Sequence, residues 1–255
     1  MLKAIWNNIF VNTYHNIESE KSASKQLNKK AITIFIVVAF SLVFIQYLGN
    51  YSFWKNSLNT IKSEFPNARL FQLSYWVSVL TFCYLITPIL VIKLIFKEPL
   101  THYGLSPKGF FKGYKLYVVF FLFMVPLILL ASTTDSFQNK YPFYNPNEES
   151  LWPNFIIWQC LYLLQFFALE FFFRGFMVHG LKKQFGFYTV FIMMIPYVMI
   201  HFQKPMPETI GAIFAGIILG ALSLKSRSIW LGVAIHYSVA ITMDLAALWQ
   251  KGYFD

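Results

Sequence analysis

Five ionisable residues stand inside stretches apolar enough to cross a membrane. Glu170 and Arg174 lie in LLQFFALEFFFRGFM, His201 ends FIMMIPYVMIH, and His236 and Asp244 lie in IWLGVAIHYSVAITMDLAAL. A charged side chain at the centre of a bilayer costs roughly 2.5–3.5 kcal/mol on insertion scales, so such residues face an interior cavity and tend to carry function. Two imidazoles, two carboxylates and one guanidinium on three segments read as a buried reactive or metal-binding site.

Each residue also has a plainer reading. Glu170 and Arg174 are spaced i, i+4, so they share a helix face and can pair, either as chemistry or as an ion pair that orients helices. His201 alone reads as a histidine at a membrane interface. His236 is mid-segment among Gly, Val, Ala and Ile, where an imidazole without a partner is expensive. Asp244 is two turns further on, about 80° around the helix, so it either looks into the same cavity or caps an outer polar cluster. His179, nine residues after Glu170, falls on the opposite face and reads as interfacial. Glu208 opens a span, where a carboxylate suits the positive helix end. Counted from the basic loops, Glu170, His201, His236 and Asp244 lie at depths of roughly 15–27 Å, so they can meet.

The elements that must position these residues are membrane helices. The chain is 57% hydrophobic and 13% charged, against about 25% charged in soluble domains. The pattern predicts an all-α, polytopic transmembrane bundle of about seven spans, near 31–49, 71–96, 113–132, 153–181, 185–202, 209–224 and 229–249. Residues 1–30 form a cytoplasmic N-terminal segment and 31–255 a single transmembrane domain, whose motif helices at about 153–249 form an intramembrane cavity. The sixth span is rich in glycine, and Gly211, Gly216 and Gly220 allow close helix approach. IWNNIFVNTYHNI alternates aromatic and polar residues, as an interfacial segment would.

The formal charge of +10 is not a nucleic-acid signature, because the basic residues sit in short loops between apolar runs. Every second loop is enriched: Lys3, Lys21, Lys25, Lys29 and Lys30; Lys97, Lys108, Lys112 and Lys115; Lys182 and Lys183; Lys225 and Arg227. The other side holds Lys55, Lys62, Arg69, Lys140, Lys204 and Lys251. This asymmetry places the N-terminus in the cytoplasm of a multi-pass cell-membrane protein. The loop Thr133–Trp152, with Asp135, Glu148 and Glu149, suits the exterior. Cys83 and Cys160 lie in apolar runs and indicate neither a structural disulfide nor a thiol catalyst. No cleavable signal peptide precedes the first span. No paired, broken half-spans recur, so a transporter built on inverted repeats is the weaker reading.

EFFFRG, YVMIHF and SIWLGVAIHYSVAITMD together resemble the CAAX-endopeptidase and bacteriocin-processing (CPBP) family of intramembrane metalloproteases. That family carries EExxxR, then FxxxH, then HxxxN or HxxxD. By resemblance Glu170 matches the second glutamate, Arg174 the arginine, Tyr197 and His201 the aromatic–histidine pair, and His236 the last histidine. The family's first glutamate, which activates water, is Leu169 here, and its Asn or Asp is Ala240, with Asp244 one turn further on as the substitute. The resemblance implies a metal-dependent endopeptidase acting on a membrane-associated peptide or protein, including prenylated or leader-type substrates. It makes Glu170, Arg174, His201, His236 and Asp244 catalytic, with Glu170, His201 and His236 holding zinc. Membrane lipid is the expected surrounding partner. The alternative is an inactive family member, a membrane scaffold or a factor in self-immunity to a bacteriocin.

Overall fold

A computed structural model of the chain describes residues 2–21, 28–50, 53–54, 68–106, 113–146 and 151–254. Lys25, Lys55, Lys62, Lys108, Lys112, Glu148 and Glu149, used above to read topology, lie outside the described residues. Among the described residues the structure is helical, without a strand. Helix α1 covers residues 2–20, α2 Lys29–Leu48, α3 Arg69–Phe96 and α4 Tyr114–Ser132. Then come α5 Asn154–Glu170, a π-helical stretch Phe171–His179, α6 Gly180–Phe185, α7 Thr189–Met199, α8 Met206–Ser226 and α9 Trp230–Gln250.

Six helical runs are long and apolar enough to cross a membrane, and the chain is a multi-pass membrane protein. The fourth run, Asn154–Met199, holds 46 residues. At 1.5 Å per residue that is about 70 Å, too long for one crossing of a hydrocarbon core about 30 Å thick. The run breaks at Gly186, whose φ of 58° and ψ of −137° lie where a side chain is strained, and α7 then packs back on the π-helical stretch. The fourth and fifth expected spans are therefore joined by a tight corner, and about seven crossings remain.

The chain forms two compact units that draw on the same helices. One comprises Met1–Ala39, Thr87–Tyr114 and Glu170–Gly232; the other comprises Phe40–Ile86, Lys115–Leu169 and Val233–Asp255. In the first, Phe171, Phe172, Phe173 and Phe176 are fully buried. Gly216 and Gly220 lie against Met194, Tyr197, Val190 and Met193, so α7 and α8 meet closely there. Gly211 faces open space and takes no part in that contact, contrary to the expectation above.

On α2 of the same unit, Lys30 donates to Glu98 at 2.7 Å and lies over the rings of Phe96 and Tyr103. The Tyr103 hydroxyl donates to the same Glu98 oxygen at 2.7 Å. Burial pushes the Glu98 carboxyl up, but hydrogen bonds from Lys30 and Tyr103, with the charges of Lys30 and Lys183, outweigh it and hold the group below its ordinary range. A carboxyl lowered on folding contributes stability above its unfolded value, and that contribution is lost as pH falls through the folded value. Glu98→Gln should therefore lower the thermal midpoint in detergent at neutral pH, and the difference from wild type should vanish under strongly acidic conditions. A constant gap across pH would contradict this linkage.

The second unit is organised around aromatic side chains. Trp158, Tyr162 and Phe166 recur every fourth residue of α5 and pack with Leu70, Leu73, Val77 and Tyr144. Phe143, from the segment before α5, forms a three-ring cluster with Trp76 and Trp158. Its carbonyl accepts from Arg69 at 2.7 Å, and the neighbouring Tyr141 carbonyl accepts from Lys251 at 2.9 Å.

Candidate active site

The first unit gathers Glu170, Arg174, Tyr197 and His201. Glu170 ends α5 and Arg174 lies on the π-helical stretch that follows; Arg174 Nη1 is 3.0 Å from Glu170 Oε1, and both side chains are 0% exposed. π-helical stretches are rare and concentrate at functional sites. The i, i+4 spacing read from sequence thus makes a fully buried ion pair. The Arg174 guanidinium lies over the Tyr197 ring, 4.1 Å from its centre, which gives the cation an aromatic face where water is absent.

Tyr197 connects this pair to His201. Its backbone carbonyl lies 2.8 Å from His201 Nδ1, and the two rings are 4.8 Å apart. A carbonyl only accepts, so Nδ1 is the donor, and in the tautomer that this selects the lone pair stands on Nε2. The His201 carbonyl in turn accepts from the Thr209 hydroxyl at 2.7 Å, which ties the end of α7 to the start of α8. His201 is buried.

Gly232, in the first turn of α9, was not singled out in the sequence. A Cβ there would fall 2.6 Å from Glu170 Oε2, so the bare backbone lets α9 close against the carboxylate. The available signal was its place one turn before His236. Glu208 sits in the first turn of α8 and pairs with Lys204, as a helix-start carboxylate should. His179 is buried, with Nε2 3.0 Å from the Ser223 hydroxyl, so it belongs to the packing of the first unit.

His236 and Asp244 belong to the second unit. The half-buried His236 ring lies 4.5 Å from the Phe166 ring. Asp244 is fully buried and accepts three hydrogen bonds: from the Phe143 N–H at 3.1 Å, Trp158 Nε1 at 3.0 Å and Gln159 Nε2 at 3.1 Å. Leu169 and Ala240, which stand where acidic and amide groups were looked for, are buried apolar residues.

Glu170, His201 and His236 were the expected zinc ligands. Among the described residues no group of three or more His, Cys, Asp and Glu side chains could hold a metal ion. Glu170 already faces a guanidinium at 3.0 Å, a charge that disfavours a second cation. No step is therefore built on a metal.

Residues 150–242 match the family model for type II CAAX prenyl endopeptidase Rce1-like. No curated protein and no solved structure matched the chain. The matched segment contains Glu170, Arg174, Tyr197, His201, Gly232 and His236, and Asp244 falls just beyond it. The buried ion pair, the histidine bonded to the carbonyl four residues before it and the glycine one turn before the second histidine all lie within residues 150–242, the segment that is similar to the Rce1-like core of the CPBP family.

Proposed function

We propose that the chain is an intramembrane peptidase that hydrolyses a peptide bond of a membrane-associated peptide or protein. The observation that carries this reading is the His201 tautomer: the Nδ1 bond to the Tyr197 carbonyl leaves Nε2 as the basic nitrogen. In the proposed reaction Nε2 takes a proton from water, and the oxygen attacks the scissile carbonyl. The proton passes to the leaving amine as the C–N bond breaks. Glu170 balances the charge that develops on the imidazole, and Arg174 fixes Glu170 in place. With basic residues enriched in alternate loops, we place the N-terminus in the cytoplasm.

A second reading is a catalytically inactive membrane scaffold, including one that confers tolerance to a peptide toxin. Leu169 and Ala240 favour it, since both positions that carry polar groups in the family pattern are apolar and buried here. Comparison of membrane peptides from cells expressing wild type, His201→Ala and His236→Ala separates the two. The peptidase reading expects a set of cleavage products absent from both variants, at equal membrane levels of the protein. It also expects equal metal content in purified wild type and His236→Ala. Identical peptide profiles from normally folded proteins would leave the scaffold.

A further inference from the structure

We infer that α1 is an in-plane anchor, with the stripe Trp6, Phe10 and Tyr14 resting in the phospholipid headgroup layer on its side of the membrane. The helix carries three sets of side chains, the aromatic set adjoining the buried one. Ile9, Thr13 and Ile17 are buried against the first unit. Trp6 and Tyr14 are 59% and 39% exposed, with Phe10 half-buried between them. Asn8, Asn12, His15 and Ser19 are exposed. At about 100° per residue the aromatic and polar stripes stand on roughly opposite sides. Water explains the polar stripe but not the aromatic one.

The aromatic stripe connects, through the buried Phe187 ring, with the exposed apolar flank of α7. The Phe10 and Tyr14 rings lie 6.5 and 6.1 Å from Phe187, and Phe187 lies 6.2 Å from Phe191 on α7. Phe191, Ile195 and Met199 are exposed along α7, within a membrane-crossing run. One apolar band thus leaves the flank of α7 and turns onto α1. Exposed Lys3, at the start of α1, adds attraction to anionic headgroups. Aromatic side chains with an apolar body and a polar edge are those enriched at this depth.

Polar contacts fix which side of α1 can face lipid. Glu18 accepts from the Phe187 N–H at 3.0 Å, and a Cβ on Gly186 would fall 2.0 Å from Glu18 Oε1. Glu20 pairs with Lys182 at 3.3 Å and also with Arg227. These contacts lock the rotation of α1 at its C-terminal end and hold the α6–α7 corner beneath it.

Site-directed spin labelling of the full chain tests this, in vesicles of phosphatidylcholine and phosphatidylglycerol. Tyr14→Cys and Asn12→Cys are compared in a Cys83→Ala/Cys160→Ala background, with Trp6→Cys and Ser19→Cys as a second pair on the same two sides. The expected result is that oxygen relaxes the labels at 14 and 6 more than a water-soluble nickel chelate does, with the ratio reversed at 12 and 19. Nickel-dominated relaxation at all four positions would overturn the proposal. Dipolar broadening at 14 and 6 would place a second copy of the chain on the stripe instead, and would overturn it equally.

Discussion

Replacing Arg174 with methionine is expected to destabilise the protein by about 3–5 kcal/mol, and adding Glu170→Leu should restore most of that loss. The two side chains are 0% exposed and 3.0 Å apart, so Arg174→Met leaves a carboxylate with no compensating cation in a medium that cannot solvate it. It also removes the guanidinium from the Tyr197 face, 4.1 Å away, an interaction worth up to about 2 kcal/mol when desolvated. The double change removes both charges together and replaces them with apolar volume. Unfolding midpoints in detergent for the two single variants and the double decide the matter. A double variant no more stable than Arg174→Met would mean that the two residues are not energetically coupled. The double variant also serves a second purpose, since a folded chain lacking both charges shows whether the pair is needed for cleavage or only for packing.

The helical architecture was legible because lipid imposes it. Long apolar runs must satisfy their own backbone hydrogen bonds, so hydropathy alone locates most helices. The corner between the fourth and fifth spans was legible as a break in hydropathy at Lys182 and Lys183, but its geometry rests on one glycine at positive φ. The Glu170–Arg174 pair was legible because i, i+4 neighbours meet on any helix. The bond from His201 Nδ1 to the Tyr197 carbonyl spans the same interval, yet it depends on a side-chain rotamer that spacing does not fix.

Contacts between distant segments were not legible. His179 looked interfacial from its place near a span end, and its partner Ser223 is on another helix. Glu18 and Glu20 belong to no motif in the sequence, although they meet Phe187, Lys182 and Arg227 far along the chain. Gly232 carries no chemistry of its own, so only the packing of Glu170 against it reveals its importance. Asp244 was visible as a buried carboxylate, but its donors come from a loop residue and two residues of α5.

Those donors lead to the second large effect. Asp244→Ala is expected to cost several kcal/mol, because it leaves the Phe143 N–H, Trp158 Nε1 and Gln159 Nε2 buried without this acceptor, at about 1–3 kcal/mol for each such group. Asp244 joins α9 to α5 and to the Phe143 segment, whose ring clusters with Trp76 and Trp158. Loosening that segment therefore also loosens the aromatic core of the second unit. Asp244→Asn should fall between wild type and Asp244→Ala. Its one carbonyl oxygen can take the Trp158 and Gln159 donors that share Oδ2, while its amide would then face the Phe143 N–H, a second donor. Thermal unfolding in detergent should rank the three proteins in that order. Limited proteolysis should cut the segment 133–146 faster in both variants than in wild type. A carboxylate whose task was to act on substrate would behave differently, since its removal would abolish cleavage and leave the unfolding midpoint and the proteolytic pattern unchanged. That outcome would return Asp244 to the reacting groups and remove it from the clamp.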